Sequence, residues 1–196
     1  VGAAPAIVHL VGFPGAGKYT VAQAIVRAAA ESGERYLLID NHYTSNVIFG
    51  VMEVDGIVPL PRAVWDRVDE VREAVFKAIE QFSPPEWSFV FTNVLTMEEP
   101  RDPPAVHRLA ALAAARGCPY VMVHLRCDEA ELIRRVPNDD RRARMKWLDA
   151  EAVRRFMHGR TLLTIDGHAP FELDVTATSP DDTARRVLGH VAVLSR

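Results

Sequence analysis

Gly12-Phe13-Pro14-Gly15-Ala16-Gly17-Lys18-Tyr19-Thr20 is the stretch around which the chain is organised. An apolar run, Ile7-Val8-His9-Leu10-Val11, precedes it, and Val21-Ala22-Gln23-Ala24-Ile25-Val26 follows with helical spacing. Strand, glycine-rich loop and helix in that order are the context in which a G-x-x-x-x-G-K loop binds phosphate. Gly12, Gly15 and Gly17 let the backbone curl so that successive N–H groups point inward. The helix adds the positive end of its dipole, and Lys18 adds a full charge for the outer phosphates.

One position departs from the motif. The Ser or Thr that normally follows the lysine and ligates magnesium is Tyr19. Thr20 comes next, on a different side of the helix. Two readings follow. Either the loop binds nucleotide with the metal held by water and other side chains, or it binds a phosphate without catalysis. A glycine-rich turn with no ligand is the remaining alternative.

The 196 residues suit one domain with a substantial core. We read it as a single unit over 1–196, with a substrate flap at 41–61 and a lid at 128–158. A net charge of −3 argues against a bulk nucleic-acid binder, which usually carries a basic excess. Cys118 and Cys127 form no metal or disulfide pattern. No apolar run reaches membrane-spanning length, and the first residues lack the features of a signal peptide. The expectation is therefore a cytoplasmic protein with no membrane or nucleic-acid partner, its oligomeric state left open.

Arg35–Asp40 reads as a strand buried on both faces, with Asp40 at its carboxyl edge. Open α/β sheets place ligands at that edge. Residues 41–61 are less regular, with a short helix expected near Val47–Met52. From Arg62 to Phe82 the residues Val64, Val68, Val71, Val75, Ile79 and Phe82 form one stripe of a long amphipathic helix. Pro84-Pro85 ends it. Trp87–Asn93 is a further strand, and Thr92 and Asn93 stand at its edge where related loops place an acid. A helix at Pro104–Arg116 and a strand at Tyr120–Leu125 follow. Asp128 and Glu131 form a capping box for a helix reaching Val136. Arg134, Arg135, Arg141, Arg142, Arg144 and Lys146 then cluster. A helix from about Asp149 to His158, a strand at Phe171–Thr176 and a last helix capped by Ser179 complete the chain. Val187, Leu188, Val191 and Leu194 form the buried face of that last helix.

Five strands alternating with helices make a parallel α/β sheet covered on both sides. At this point the chain resembles the small P-loop kinases, the group of nucleoside monophosphate, shikimate and gluconate kinases. The likeness rests on Gly12–Thr20, on Asp40 after the second strand, on the arginine-rich stretch after the fourth, and on Thr176–Pro180 after the fifth. Only the first of these is specific. The resemblance implies a three-layer P-loop fold with sheet order 2-3-1-4-5 and ATP and Mg2+ as cofactors.

Residue by residue, it implies that Gly12, Pro14 and the amides of Gly15, Ala16, Gly17, Lys18 and Tyr19 cradle the phosphates. Lys18 would bridge those at the transferring end. Thr20 would contact the α-phosphate. Thr20 and Asp40 are the candidates to hold magnesium. Asp40 matches a carboxylate that takes the acceptor's proton or orients the metal, a helix cap being the alternative. Arg134 or Arg135 would stack on adenine, and Thr178 and Pro180 would pack beside it. Arg141, Arg142 and Arg144 would close over the transferring phosphate. Apart from the resemblance, the polar and aromatic mixture of His42, Tyr43, Arg62, Trp65, Thr92 and Asn93 is expected to line the pocket of a small-molecule acceptor. His9 and His124 read as satisfied core or edge residues.

The leading expectation is ATP-dependent phosphoryl transfer to a small-molecule hydroxyl or phosphate. A nucleotide-binding module or slow ATPase is the alternative, motivated by Tyr19 and the missing acid after Phe91. A guanine-nucleotide switch is disfavoured by the lack of an N-K-x-D signature. A motor-type ATPase is disfavoured by the chain's length.

Overall fold

The structure is a computed structural model that describes residues 4–52, 60–138, 141 and 146–195. Its frame is a five-stranded parallel sheet of β1 (Ile7–Val11), β2 (Tyr36–Asp40), β3 (Ser88–Asn93), β4 (Tyr120–Arg126) and β5 (Phe171–Asp174). The strands lie in the order β2-β3-β1-β4-β5, as the resemblance implies. β1 is central: Val8 sits opposite Val90 of β3 and Val121 of β4. The register sets Val11 beside Asn93 and Asp40 beside Thr92, so these residues share the carboxyl edge.

Strand alternation sends β1 side chains to two cores. Val8 and Leu10 join Val21, Ile25, Val123, Leu125, Leu173, Val187 and Val191 on the face covered by α1 (Lys18–Glu31) and α7 (Pro180–Leu194). Ile7 joins Phe89, Phe91, Ile79, Leu109 and Leu112 on the face covered by α3 (Arg62–Phe82) and α4 (Asp102–Ala115). The sequence pattern places α3 and β3 correctly to within one residue at either end. Gly33 and Gly117 close α1 and α4 with positive φ.

The histidines of β1 and β4 are buried and bonded, as expected. His9 contacts the Tyr120 hydroxyl at 2.8 Å and Asn93 Oδ1 at 2.9 Å. Burial pushes its pKa down to about 4, so the ring is neutral. His124 lies between Glu172 Oε1 and the Leu163 carbonyl, 3.0 Å from each.

Several expectations are corrected. β2 is an edge strand, and its middle residues Leu37, Leu38 and Ile39 are only half-buried. An apolar run reports covered faces but says nothing of the strand's place in the sheet. Helix α2 (Asn41–Phe49) begins directly after β2 rather than near Val47, because the Asp40 side chain accepts the His42 N–H and starts it. The rest of the flap, residues 53–59, lies outside the described residues. Helix α5 (Glu129–Arg135) has Asp128 at its N-cap position, but no side-chain capping bond forms. The Glu131 carboxylate is taken instead by Arg134 and Arg135, at 2.6 Å each. Helix α6 (Ala150–Met157) starts beside Asp149, as expected, and the Asp149 side chain caps it by accepting the Glu151 and Ala152 N–H groups. Phe82 and Leu194, expected on buried faces, are exposed at helix ends where the sheet no longer lies beneath them.

Truncating Phe89, fully enclosed beneath α3 and α4, should destabilise the fold by about 3–5 kcal/mol. Phe82→Ala should stay within about 0.5 kcal/mol of wild type. Urea unfolding of the two variants checks both values.

Candidate phosphate-binding and transfer site

The loop between β1 and α1 is shaped by two glycines. Gly15 and Gly17 have φ of 94° and 81°. A Cβ on Gly15 would lie 2.6 Å from the Leu132 carbonyl oxygen of α5. Gly17 caps α1 with no side-chain bond, and α1 has no acid in its first turn. The positive end of the helix is therefore offered to an external anion. Gly12 plays a packing part at the back of the loop, with its position for a Cβ only 2.9 Å from the Leu125 oxygen. The Ala16 N–H donates to Phe13 O within the loop, at 3.2 Å, and is not directed to a ligand.

Lys18 Nζ folds back to donate to Gly12 O at 2.6 Å and Phe13 O at 3.0 Å. Removal from water, then repulsion by Lys146 and Arg141, pushes its pKa down to about 7 against the pull of Asp40. The loop, α2, α3, Arg141 and Lys146 line one cleft of about 1110 Å³. Pro14, Gly15, Ala16, Gly17, Lys18, Tyr19 and Thr20 form one wall, with Asp40, His42, Thr92 and Asn93 among the residues facing them.

Asp40 does two things. Its Oδ1 accepts the His42 N–H at 2.9 Å, and its Oδ2 pairs with Lys146 Nζ at 3.0 Å. Burial alone would raise this carboxyl, but Lys146 and the His42 N–H outweigh it and hold the group below the usual carboxylate range. The capping role weighed for Asp40 is thus present, and its second oxygen is taken by Lys146. Burial and the neighbouring Lys146 push His42 down to about 4, so the ring is neutral beside these charges. Thr92 Oγ1 accepts the Asn41 N–H at 3.4 Å, and Asn93 turns its carbonyl oxygen to His9.

At the other end, Arg135 donates to the carbonyls of Val175 and Thr176, tying α5 to the end of β5. Arg134 lies on the cleft but reaches back along its own helix to Glu131. Thr178 and Pro180 line the cleft close by. Arg141 also faces it, its guanidinium bonded to Trp147 O at 3.1 and 2.8 Å. Arg142 and Arg144 lie outside the described residues.

Two expected residues are not brought to the cleft. Arg62 projects from the first turn of α3 into solvent, and Tyr43 is exposed on the outer side of α2. Both were placed by closeness in sequence, whereas helix phase decides which side faces the cleft. On α3, Trp65 does line the cleft, and Asp69 and Arg72 join it at steps of four and three beside the apolar stripe. Arg108 of α4 joins them through Asp69 at 3.5 Å. That second, polar stripe was readable in the sequence. In sequence Lys146 is one more basic residue of the cluster after α5, and its pairing with Asp40 has no local signal.

The donors as arranged do not fit a protein-held magnesium ion. The residue after Lys18 offers a ring, and both Asp40 oxygens are engaged. Thr20 is exposed on the rim, and no group of three His, Cys, Asp or Glu suited to a metal occurs among the described residues.

The sequence matches the family described as AAA domain over residues 7–163. The chain belongs to that family. No curated protein sequence matches it. Among solved structures it is similar to Kti12 of Chaetomium thermophilum in complex with ADP-AlF3, at 14% identity and TM-score 0.64, over 97% of this chain and 99% of that one. It is also similar to the Mycobacterium tuberculosis APS kinase CysC in complex with AMPPNP and APS, at 17% identity and TM-score 0.59, over 98% and 99%. A sugar kinase of Janibacter sp. HTCC2649 matches at 12% identity and TM-score 0.57, over 97% and 98%. At these identities the likeness establishes a P-loop fold shared with kinases. Among the described residues no helix is long and apolar enough to cross a membrane.

Gly15→Ala should cost more stability than Gly17→Ala: the first meets a carbonyl at 2.6 Å, the second meets nothing within 4 Å and bears only a backbone cost of about 1–2 kcal/mol. Paired denaturation curves test the order. For Lys18, a folded pKa near 7 against 10.5 means that folding expels a proton between those values. The destabilisation is fully present below pH 7 and fades as pH rises towards 10.5. With screening of a half-buried group allowed for, it amounts to about 1 kcal/mol. Ligand-free Lys18→Met should therefore melt about 2–4 °C above wild type near neutral pH, with the gap closing in alkali. Scanning calorimetry across pH checks the sign.

Proposed function

We propose that the protein transfers the terminal phosphoryl group of ATP to a hydroxyl or phosphate of a small molecule. The observation that carries this reading is that Lys18, at the head of α1, and the buried carboxylate of Asp40 line the same cleft and lie near enough for their charges to interact. Phosphoryl transfer asks a protein mainly for positioning and charge neutralisation. The amide-lined loop and Lys18 supply the first along the nucleotide. Lys18, Lys146 and Arg141 supply the second.

For a hydroxyl acceptor, its oxygen forms a bond to the terminal phosphorus as the bond from phosphorus to the bridging oxygen breaks. ADP leaves, and Asp40 orients the hydroxyl and receives its proton. The nucleotide end of the cleft is assigned to Arg135, Thr178 and Pro180, and the acceptor end to His42, Asn93, Trp65 and Arg72. Magnesium would accompany the phosphates themselves rather than a protein donor set. A cytoplasmic location is the expectation that goes with ATP as cosubstrate.

A second reading is favoured by Tyr19 and by the engagement of Asp40 with Lys146: a nucleotide-binding module with slow or no turnover. ATP consumption should be followed with a panel of nucleosides, sugars and antibiotics. On the true acceptor, Lys18→Ala and Asp40→Asn should each lower turnover by about 100-fold or more. Variants that both match wild type would sink the kinase assignment. Calorimetric ATP binding with no turnover on any acceptor would favour the module.

A further inference from the structure

Lys146 is held in place. Its own N–H bonds Arg141 O at 3.1 Å, the Arg141 guanidinium bonds the Trp147 carbonyl, and the Trp147 ring packs edge-on against Phe156 of α6 at 5.1 Å. From there its ammonium reaches two groups of the loop side of the cleft. It sits 3.0 Å from Asp40 Oδ2 and 4.9 Å from the centre of the Tyr19 ring. The pair is well removed from water, with side-chain exposures of 14% for Lys146 and 2% for Asp40.

Among the described residues, Lys146 and Arg141 both lie close enough to Lys18 to repel it, and Asp40 is the carboxylate that acts on it against them. An excess of positive charge in a partly dry cleft calls for a polyanion. The ring of Tyr19 occupies the position where a hydroxyl would ligate magnesium. An aromatic face cannot ligate magnesium, but it attracts an ammonium.

We propose that Lys146 is the cation of the terminal phosphate in this protein, located by the Tyr19 ring and by Asp40, so that nucleotide binding depends little on a protein-held magnesium ion. The exchange of a hydroxyl for a ring after Lys18 and the delivery of a lysine from the lid are then one device. This inference rests on the kinase reading and sharpens how that site holds its phosphates.

The test is ATP and AMP binding by calorimetry, with magnesium and with EDTA. The wild type should bind ATP in EDTA within about tenfold of its magnesium value. Lys146→Met should weaken metal-free ATP binding by about 10- to 100-fold, the loss of one charge-assisted contact, and leave AMP binding unchanged. Lys146→Arg keeps the charge and should recover most of the affinity. Tyr19→Phe keeps the ring and should retain metal-free affinity. Tyr19→Thr should lose it and regain it when magnesium is added.

A Lys146→Met protein that binds metal-free ATP as wild type does overturns the inference alone. So does an equal loss of ATP and AMP, which marks a merely structural role. A wild type that binds no ATP in either condition overturns this inference together with the kinase reading.

Discussion

The site depends on a contact between two stretches of backbone. The loop after β1 lies so close to the chain of β4 and α5 that carbonyl oxygens of Leu125 and Leu132 occupy the space where side chains of Gly12 and Gly15 would begin. Bare backbone at both points lets the loop press against the strand at its side and the helix that roots the lid. Leu132 is itself fully buried in the core beneath α1 and α7. The loop and helix α5 are thus referred to the same packed core, and neither can shift without disturbing it.

That rigidity matters because the side chains in the cleft are in mutual electrical tension. Lys18 sits where water is scarce and like charges are near, and in the absence of an anion it satisfies its ammonium on the carbonyls of its own loop. Asp40 is stabilised as a carboxylate by a helix start on one side and a lysine on the other. A polyphosphate would relieve the repulsion and give Lys18 a better partner than two carbonyls. Stability withheld from the ligand-free fold is in that way available to binding.

Much of this was legible along the chain, because it rests on local rules. The loop follows from its spacing of glycines and lysine, α3 from its apolar stripe, and α7 from Ser179 and Pro180 at its start. What escaped reading is what depends on three-dimensional phase. Arg62 and Tyr43 are near the cleft in sequence and turn away from it on their helices, while Asp69 and Arg72 turn towards it. The start of α2 was missed because Asn41–Asn46 is polar, and the helix is set by one capping carboxylate rather than by an apolar face. The capping box at Asp128 had the right residues, but two arginines within the same helix compete more strongly for Glu131 than a backbone N–H does.

Tyr19 is the place where the local rule fails for a reason that only the fold supplies. Taken alone, a tyrosine after the P-loop lysine is a loss: a ligand is removed and bulk is added. With Lys146 resting on its ring and Asp40 closing the other side of the ammonium, the same residue becomes a seat for a different kind of cation. A metal ion carries two charges and must be collected from solution. An ammonium carries one and is covalently attached to the chain. Charge neutralisation at the terminal phosphate would then be built into the protein rather than drawn from metal supply. The departure at Tyr19 and the lysine at position 146 are therefore best understood as two halves of one electrostatic arrangement.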